Sequence, residues 1–157
     1  MDDRVLKLFS HLSYAADIVR SHDDVHIFSH HDADGISAAI ILAKTLMRMG
    51  KGFKLTLLST LNDATVNEVN DCGAKCMIIA DMGASYLHVL DHINADVIVL
   101  DHHKGDTSPK NVYYANPHSF GIDGQDGGCG ASVAMLFSVA VDSGNWDLVQ
   151  VAFAGIV

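Results

Sequence analysis

Apolar positions along this chain change period repeatedly, and the changes mark out its elements. Val5, Leu8, Phe9, Leu12, Ala16 and Val19 recur at helical spacing, which predicts an amphipathic lead helix over residues 2–20. Val25 to Ser29 predicts a first strand, and Gly35 then opens an Ala/Ile-rich helix to about Met49, stopped by Gly50 and Gly52. Phe53 to Leu58 predicts a second strand, Ala64 to Val69 a short helix and Cys76 to Ala80 a third strand. Tyr86 to Ile93 reads as helical. Asp96 to Leu100 reads as a fourth strand, with the unbroken apolar character expected where both faces are buried. A loop-rich stretch follows, Lys104 to Pro109 and Asn116 to Gly128, around a short candidate strand at Val112 to Ala115. Such a connection in a compact domain is usually functional or mobile. Ala131 to Val141 predicts a further helix, and a last one starts near Asn145 or Asp147. The alternation specifies the α/β class: one domain over residues 1–157, with an open, mostly parallel sheet flanked by helices in three Rossmann-like layers.

Composition narrows the classes of function. The 157 residues are 49% apolar, enough for a proper core, and the net charge of -9 disfavours a broad phosphate-binding surface. The odd set Cys72, Cys76 and Cys129, with no secretory signal ahead of it, reads as reduced thiols and a cytoplasmic location. No apolar stretch reaches the roughly 18 residues that span a bilayer, so no membrane partner is expected.

The candidate chemistry sits in three clusters, each directly after a short apolar run. These are Ser29-His30-His31-Asp32-Ala33-Asp34-Gly35, then Ala80-Asp81, then Asp101-His102-His103. Ligands of open parallel sheets bind outside the carboxyl ends of the strands, so the topology predicts that all three clusters meet on one edge. Residues two apart in an extended segment point the same way, which would turn His30, Asp32 and Asp34 to one site and His31 and Ala33 away from it. Carboxylates and imidazoles converging from three strand ends suit a two-metal hydrolytic site. Taken singly the clusters have plainer readings: an Asp at a strand end is commonly a helix N-cap, and Asp-x-Asp-Gly can be a simple turn.

The wording HDADG, IIADMG and VLDHH resembles the first three motifs of the DHH phosphoesterase superfamily, nearest to the RecJ-like single-strand nucleases of archaeal type. NPHSFGIDG and GGCGASVAMLF resemble the segment that follows the triplet there, so the likeness spans essentially the whole chain. The resemblance implies two divalent ions, commonly Mn2+ with Mg2+ or Co2+ as alternatives, and phosphodiester or phosphoanhydride hydrolysis by a metal-activated water. It implies that Asp32, helped by His30, binds one metal, that Asp34 and His102 bind the other, and that Asp81 bridges both. Asp101 would orient an imidazole from behind, and His103 would meet the scissile phosphate.

Two departures stand out. Related phosphatases carry a histidine four residues before the first aspartate, where this chain has Phe28. The aspartate of the family's fourth motif and its C-terminal substrate-binding domain are not in the chain, whose close at Ala-Gly-Ile-Val reads as a truncation before that motif.

The resemblance points to a 5′–3′ exonuclease on single-stranded DNA or RNA, in repair or replication. Two alternatives stay open: a phosphodiesterase of oligoribonucleotides or cyclic dinucleotides, and a replication-associated module partnering the GINS/MCM helicase. Gly128 and Gly130, with Gly127, would bring backbone N–H groups to a phosphate or simply let the chain turn. His88 and His92, at i and i+4, read as a surface pair, and Cys72 and Cys76 as a chance pair. Lys44, Arg48, Lys51 and Lys54 form the single basic cluster, fit for a nucleic-acid backbone or for a solvated helix end.

Overall fold

In a computed structural model, which describes residues 2–105, 109–124 and 128–156, five strands form one all-parallel sheet in the order β2-β1-β3-β4-β5. The strands are β1 Asp24–His30, β2 Gly52–Leu58, β3 Cys76–Ala80, β4 Asp96–Leu100 and β5 Val112–Ala115. The helices are α1 Asp3–Arg20, α2 Ala33–Arg48, α3 Asp63–Asp71, α4 Leu87–Leu90, α5 Gly130–Val141 and α6 Val149–Ala154. Gly127 and parts of both predicted loops lie outside the described residues. Among the described residues no helix is long and apolar enough to cross a membrane.

Period-2 alternation in the strands divides the core into two layers. Val25, Ile27, Cys76, Ile78, Ile98 and Leu100 pack against α1, α2 and α5, while Phe28, Met77, Ile79, Val97 and Val99 pack against α3 and α4 on the other face. β3 is buried at every position, as a central parallel strand must be. Strand order reverses between β1 and β3, the place where an open α/β sheet leaves a crevice at its carboxyl edge.

Three boundaries differ from the pattern. α2 begins at Ala33 because Asp32 is its N-cap, accepting from the Gly35 N–H at 2.9 Å. The predicted helix over Tyr86–Ile93 shrinks to the single turn of α4. The Asp91 carboxylate at its end accepts from the backbone N–H groups of Lys110, Asn111 and Val112, at 2.9–3.1 Å, and serves the start of β5. The last helix is preceded by a 3-10 segment, Ser143–Leu148, held by Asp142 on Gly144 N–H and by Asn145 donating to the Ser138 carbonyl. Half of the basic cluster is spent on the fold: Arg48 pairs with Asp147 at 2.7 Å, and the Lys51 ammonium donates to the Arg20 and His22 carbonyls.

Candidate functional site

A cleft of about 800 Å³ opens at the carboxyl edge of the sheet and is lined by His30, Asp32, Asp34, Asp81, Asp101, His102 and His103. All seven residues singled out as metal-binding or catalytic therefore share one cavity. The premise of an extended first cluster holds only to Asp32. Beyond it the chain is helical, and Asp34 reaches the cleft from the first turn of α2. His31 is exposed, its ring edge-on to that of His30 at 4.9 Å. Phe28 is buried and stacks on His26 at 3.9 Å, so the imidazole offered by β1 is that of His30.

Asp81 is the centre of the arrangement. It follows β3 with φ of 58°, a left-handed conformation that aspartate tolerates better than most residues, and its N–H is held by the Leu100 carbonyl at 2.9 Å. This turn aims a carboxylate that is 2% exposed into the cleft. Gly130 lies directly behind it. A Cβ at Gly130 would sit 2.5 Å from Asp81 Cβ and Oδ1, so Gly130→Ala is expected to destabilise the chain by about 1–3 kcal/mol in denaturant melts.

Each imidazole of the cleft has one nitrogen committed. His30 Nε2 lies 3.1 Å from the Ser59 carbonyl and His102 Nδ1 lies 2.7 Å from the Gly124 carbonyl; a carbonyl only accepts, so both nitrogens carry hydrogen. Their other nitrogens then face carboxylates. His30 Nδ1 is 2.9 Å from Asp32 Oδ2 and 3.8 Å from Asp81 Oδ2; His102 Nε2 is 3.3 Å from Asp81 Oδ1 and 3.6 Å from Asp34 Oδ2. A lone pair facing a carboxylate is repulsive unless a proton or a cation lies between them. At His102 the proton is favoured: the neighbouring Asp81 raises the imidazole to about 9. Burial pushes Asp81 up to about 6, against the pull of His102. Asp81 Oδ1 makes no hydrogen bond although it is fully buried.

Behind the triplet, Asp101 is wholly buried and accepts from Ala84 N–H at 2.8 Å, His102 N–H at 2.7 Å, His103 N–H at 3.1 Å and His103 Nδ1 at 2.7 Å. Burial works to raise its pKa, but the His103 and backbone donors outweigh it and hold the carboxyl below its ordinary value. The same contact raises His103. Asn116, also wholly buried, donates to the His103 carbonyl at 2.8 Å and pins the triplet from the β5 side.

Among the described residues, two groups have donor atoms close enough to share a cation: His30, Asp32 and Asp81, and Asp81, His102 and His103, each within 4.8 Å. Asp81 belongs to both. Asp34 lies beside the second group, its Oδ2 3.6 Å from His102 Nε2, and its two oxygens accept from the Gly130 and Ala131 N–H groups at the start of α5, both at 2.7 Å. Gly130 N–H is thereby occupied, while Gly128 lines the cleft. His88 and His92 join no such group. The orphaned oxygen of Asp81 and the pre-set imidazole tautomers fit divalent cations.

A family model described as the DHH family, N-terminal domain, matches residues 24–156. The chain belongs to the DHH family. An uncharacterised protein of Methanocaldococcus jannaschii is 34% identical over 147 residues, covering 89% of this chain and 34% of the relative. The chain thus spans about a third of the length of that relative. An exonuclease RecJ structure bound to manganese superposes with a TM-score of 0.73 at 19% identity, over 92% of this chain and 41% of that one. CDC45 from Entamoeba histolytica superposes with a TM-score of 0.66 at 14% identity, over 92% of this chain and 31% of that one. At these identities the likeness to the solved structures is one of fold.

The residues that pattern alone passed over in this DHH domain are those that hold the histidines and Asp101: Ser59, Gly124 and Asn116 on the histidines, and Ala84 on Asp101. Ser59 and Ala84 act through backbone atoms, which leave no trace in side-chain pattern. Gly124 left a weak one in Gly-Ile-Asp-Gly, and a Cβ there would collide with the His102 carbonyl.

Proposed function

We propose that this DHH domain holds two divalent cations, with manganese favoured, and serves a RecJ-like 5′–3′ exonuclease on single-stranded nucleic acid. The observation that carries the reading is Asp81, a buried carboxylate whose Oδ1 makes no hydrogen bond and faces His102 at 3.3 Å, shared by two Asp/His groups at the switch point of the sheet. His30 and Asp32 would hold one ion, His102 the other, and Asp81 would span both; Asp34 stands ready beside His102, 3.6 Å away. When bound, such a pair supplies Lewis acidity at a phosphoryl oxygen and an attacking water of lowered pKa. Asp101 fixes the His103 ring through Nδ1, which leaves Nε2 to hydrogen-bond a phosphate oxygen. Ser59 and Gly124 set the tautomers of His30 and His102, and Gly128 would face the bound strand. The likeness of the fold to a manganese-bound RecJ supports the choice of metal and reaction, and its likeness to CDC45 leaves room for a replication-protein partner.

The test is Mn2+-dependent digestion of 5′-labelled and 3′-labelled single-stranded DNA and RNA, by the chain alone and within the full product of its gene. Early release of the 5′ label supports the proposal. Early release of the 3′ label overturns the polarity, and intact strands in both preparations overturn the nuclease reading.

Metal uptake is expected to depend on pH in a defined direction. A cation must displace the protons held at Asp81 and His102, which leave as pH rises through about 6 and about 9. The rise in melting temperature on adding Mn2+ should therefore grow steadily from pH 6 to pH 8. A shift that is flat or shrinking across this range would contradict the ligand assignment.

A further inference from the structure

The edge strand β2 and the exposed stripe of α2 form an apolar surface that the site does not use. Phe53, Leu55 and Leu57 alternate along β2 and are 38%, 41% and 44% exposed; Ile36, Ile40 and Met47 on α2 are 38%, 42% and 58% exposed. The register places Phe53, Leu55 and Leu57 opposite Val25, Ile27 and Ser29 of β1, so they share the sheet face on which α2 packs. Together the six side chains present on the order of 500 Å² of apolar surface, the upper end of what a monomer commonly leaves open.

We propose that β2 pairs antiparallel with the β2 of a second copy of this chain, about a twofold axis at Leu55. β2 runs seven residues, Gly52 to Leu58, with Leu55 at its centre. In that register Leu55 faces Leu55 of the other copy, Phe53 faces Leu57, and Lys54 faces Thr56. The pattern is self-complementary: apolar side chains meet on the α2 face and no charge stands opposite a like charge.

Area and charge both favour this occupant. Two such faces bury roughly 1,000 Å² before backbone and lysine stems are counted, the size at which specific interfaces begin. The chain carries a net charge of -9, yet neither Gly52–Leu58 nor Gly35–Arg48 contains an aspartate or glutamate. Two copies therefore meet here without pressing carboxylates together. Unpaired edges of this kind are normally blunted by shortness, proline or several lysines. β5 at the other edge has only four residues, whereas β2 has no proline and a single lysine. The antiparallel pairing would place the two clefts at opposite ends of one continuous sheet, each left open.

Sedimentation velocity from about 1 to 100 µM, the range of micromolar association, tests the pairing. The chain is expected to run as a dimer. Leu55→Lys and Leu55→Glu should each run as monomers, because each sets like charges face to face across the axis, and their equimolar mixture should recover the dimer. Leu55 is exposed enough for both variants to fold, which circular-dichroism melts will verify, and Ile40→Glu on α2 repeats the test outside the strand. A chain monomeric throughout the range, a dimer untouched by these substitutions, or a mixture that stays monomeric would each overturn the proposal. The first outcome would leave the edge to a different partner.

Discussion

Asp81→Asn is expected to abolish Mn2+-dependent cleavage, on the order of 10³-fold or more, while raising the melting temperature of the metal-free chain at pH 8. The loss follows from the place of Asp81 in both donor groups, which makes it the residue they share. The gain in stability follows from burial. Asp81 titrates near 6 in the fold against an ordinary carboxylate value of 3.8, so at pH 8 the metal-free fold carries an ionised group it disfavours. Its contribution to stability is greatest below the ordinary value and is lost as pH rises through about 6. An amide has no such charge, and asparagine accepts the positive φ that alanine would not. The expected rise is about 2–6 °C at pH 8; it should shrink as pH falls below about 6 and vanish only below the ordinary carboxylate value of 3.8, where Asp81 is neutral in folded and unfolded chains alike. Scanning calorimetry beside the digestion assay reads both effects. A variant that retains activity would refute the shared role, and one that melts lower at pH 8 would refute the account of burial.

Asp101→Ala is expected to be the most destabilising single substitution in the site, at about 3–5 kcal/mol in urea melts. The carboxylate takes four donors in a wholly buried position: two backbone N–H groups of the triplet, that of Ala84, and the His103 ring. Removing it takes the partner from all four, and the Ala84 N–H is left buried with none. The effect is also pH-dependent, with the opposite sign to that of Asp81. A depressed carboxyl stabilises the fold above its ordinary pKa and loses that stabilisation as pH falls through its folded value. The cost of Asp101→Ala should therefore shrink in acid. A cost below about 1 kcal/mol at pH 7 would show that the triplet holds its shape without this anchor.

The two substitutions differ because the residues look alike in sequence and unlike in space. Asp81 and Asp101 each follow a β-rich apolar run, and the pattern correctly sent both to the carboxyl edge of the sheet. What separates them is partners. Asp101 is surrounded by N–H donors and made comfortable as an anion; Asp81 faces other carboxylates and the His102 imidazole, with no hydrogen bond to its Oδ1. Asp34 shows the same limit. Its spacing from Asp32 suggested an extended strand, whereas the start of α2 at Ala33 brings it into the cleft from a helix, with its oxygens on N–H groups of α5 nearly a hundred residues away.

Local pattern determined the order of strands and helices, the parallel sheet with both faces covered, and the meeting of three acidic and imidazole clusters at one edge. These follow from periodicity and from the rule that parallel strands present their carboxyl ends together. Only the tertiary structure decided which nitrogen of each histidine is free, which aspartate is anchored and which is left open, that Gly130 must be small to clear Asp81, and that β2 stands uncovered. The physical reason is that protonation and hydrogen bonding depend on atoms a few ångströms away in space. Ser59, Gly124 and the α5 backbone come from far along the chain and act through groups that every residue type carries.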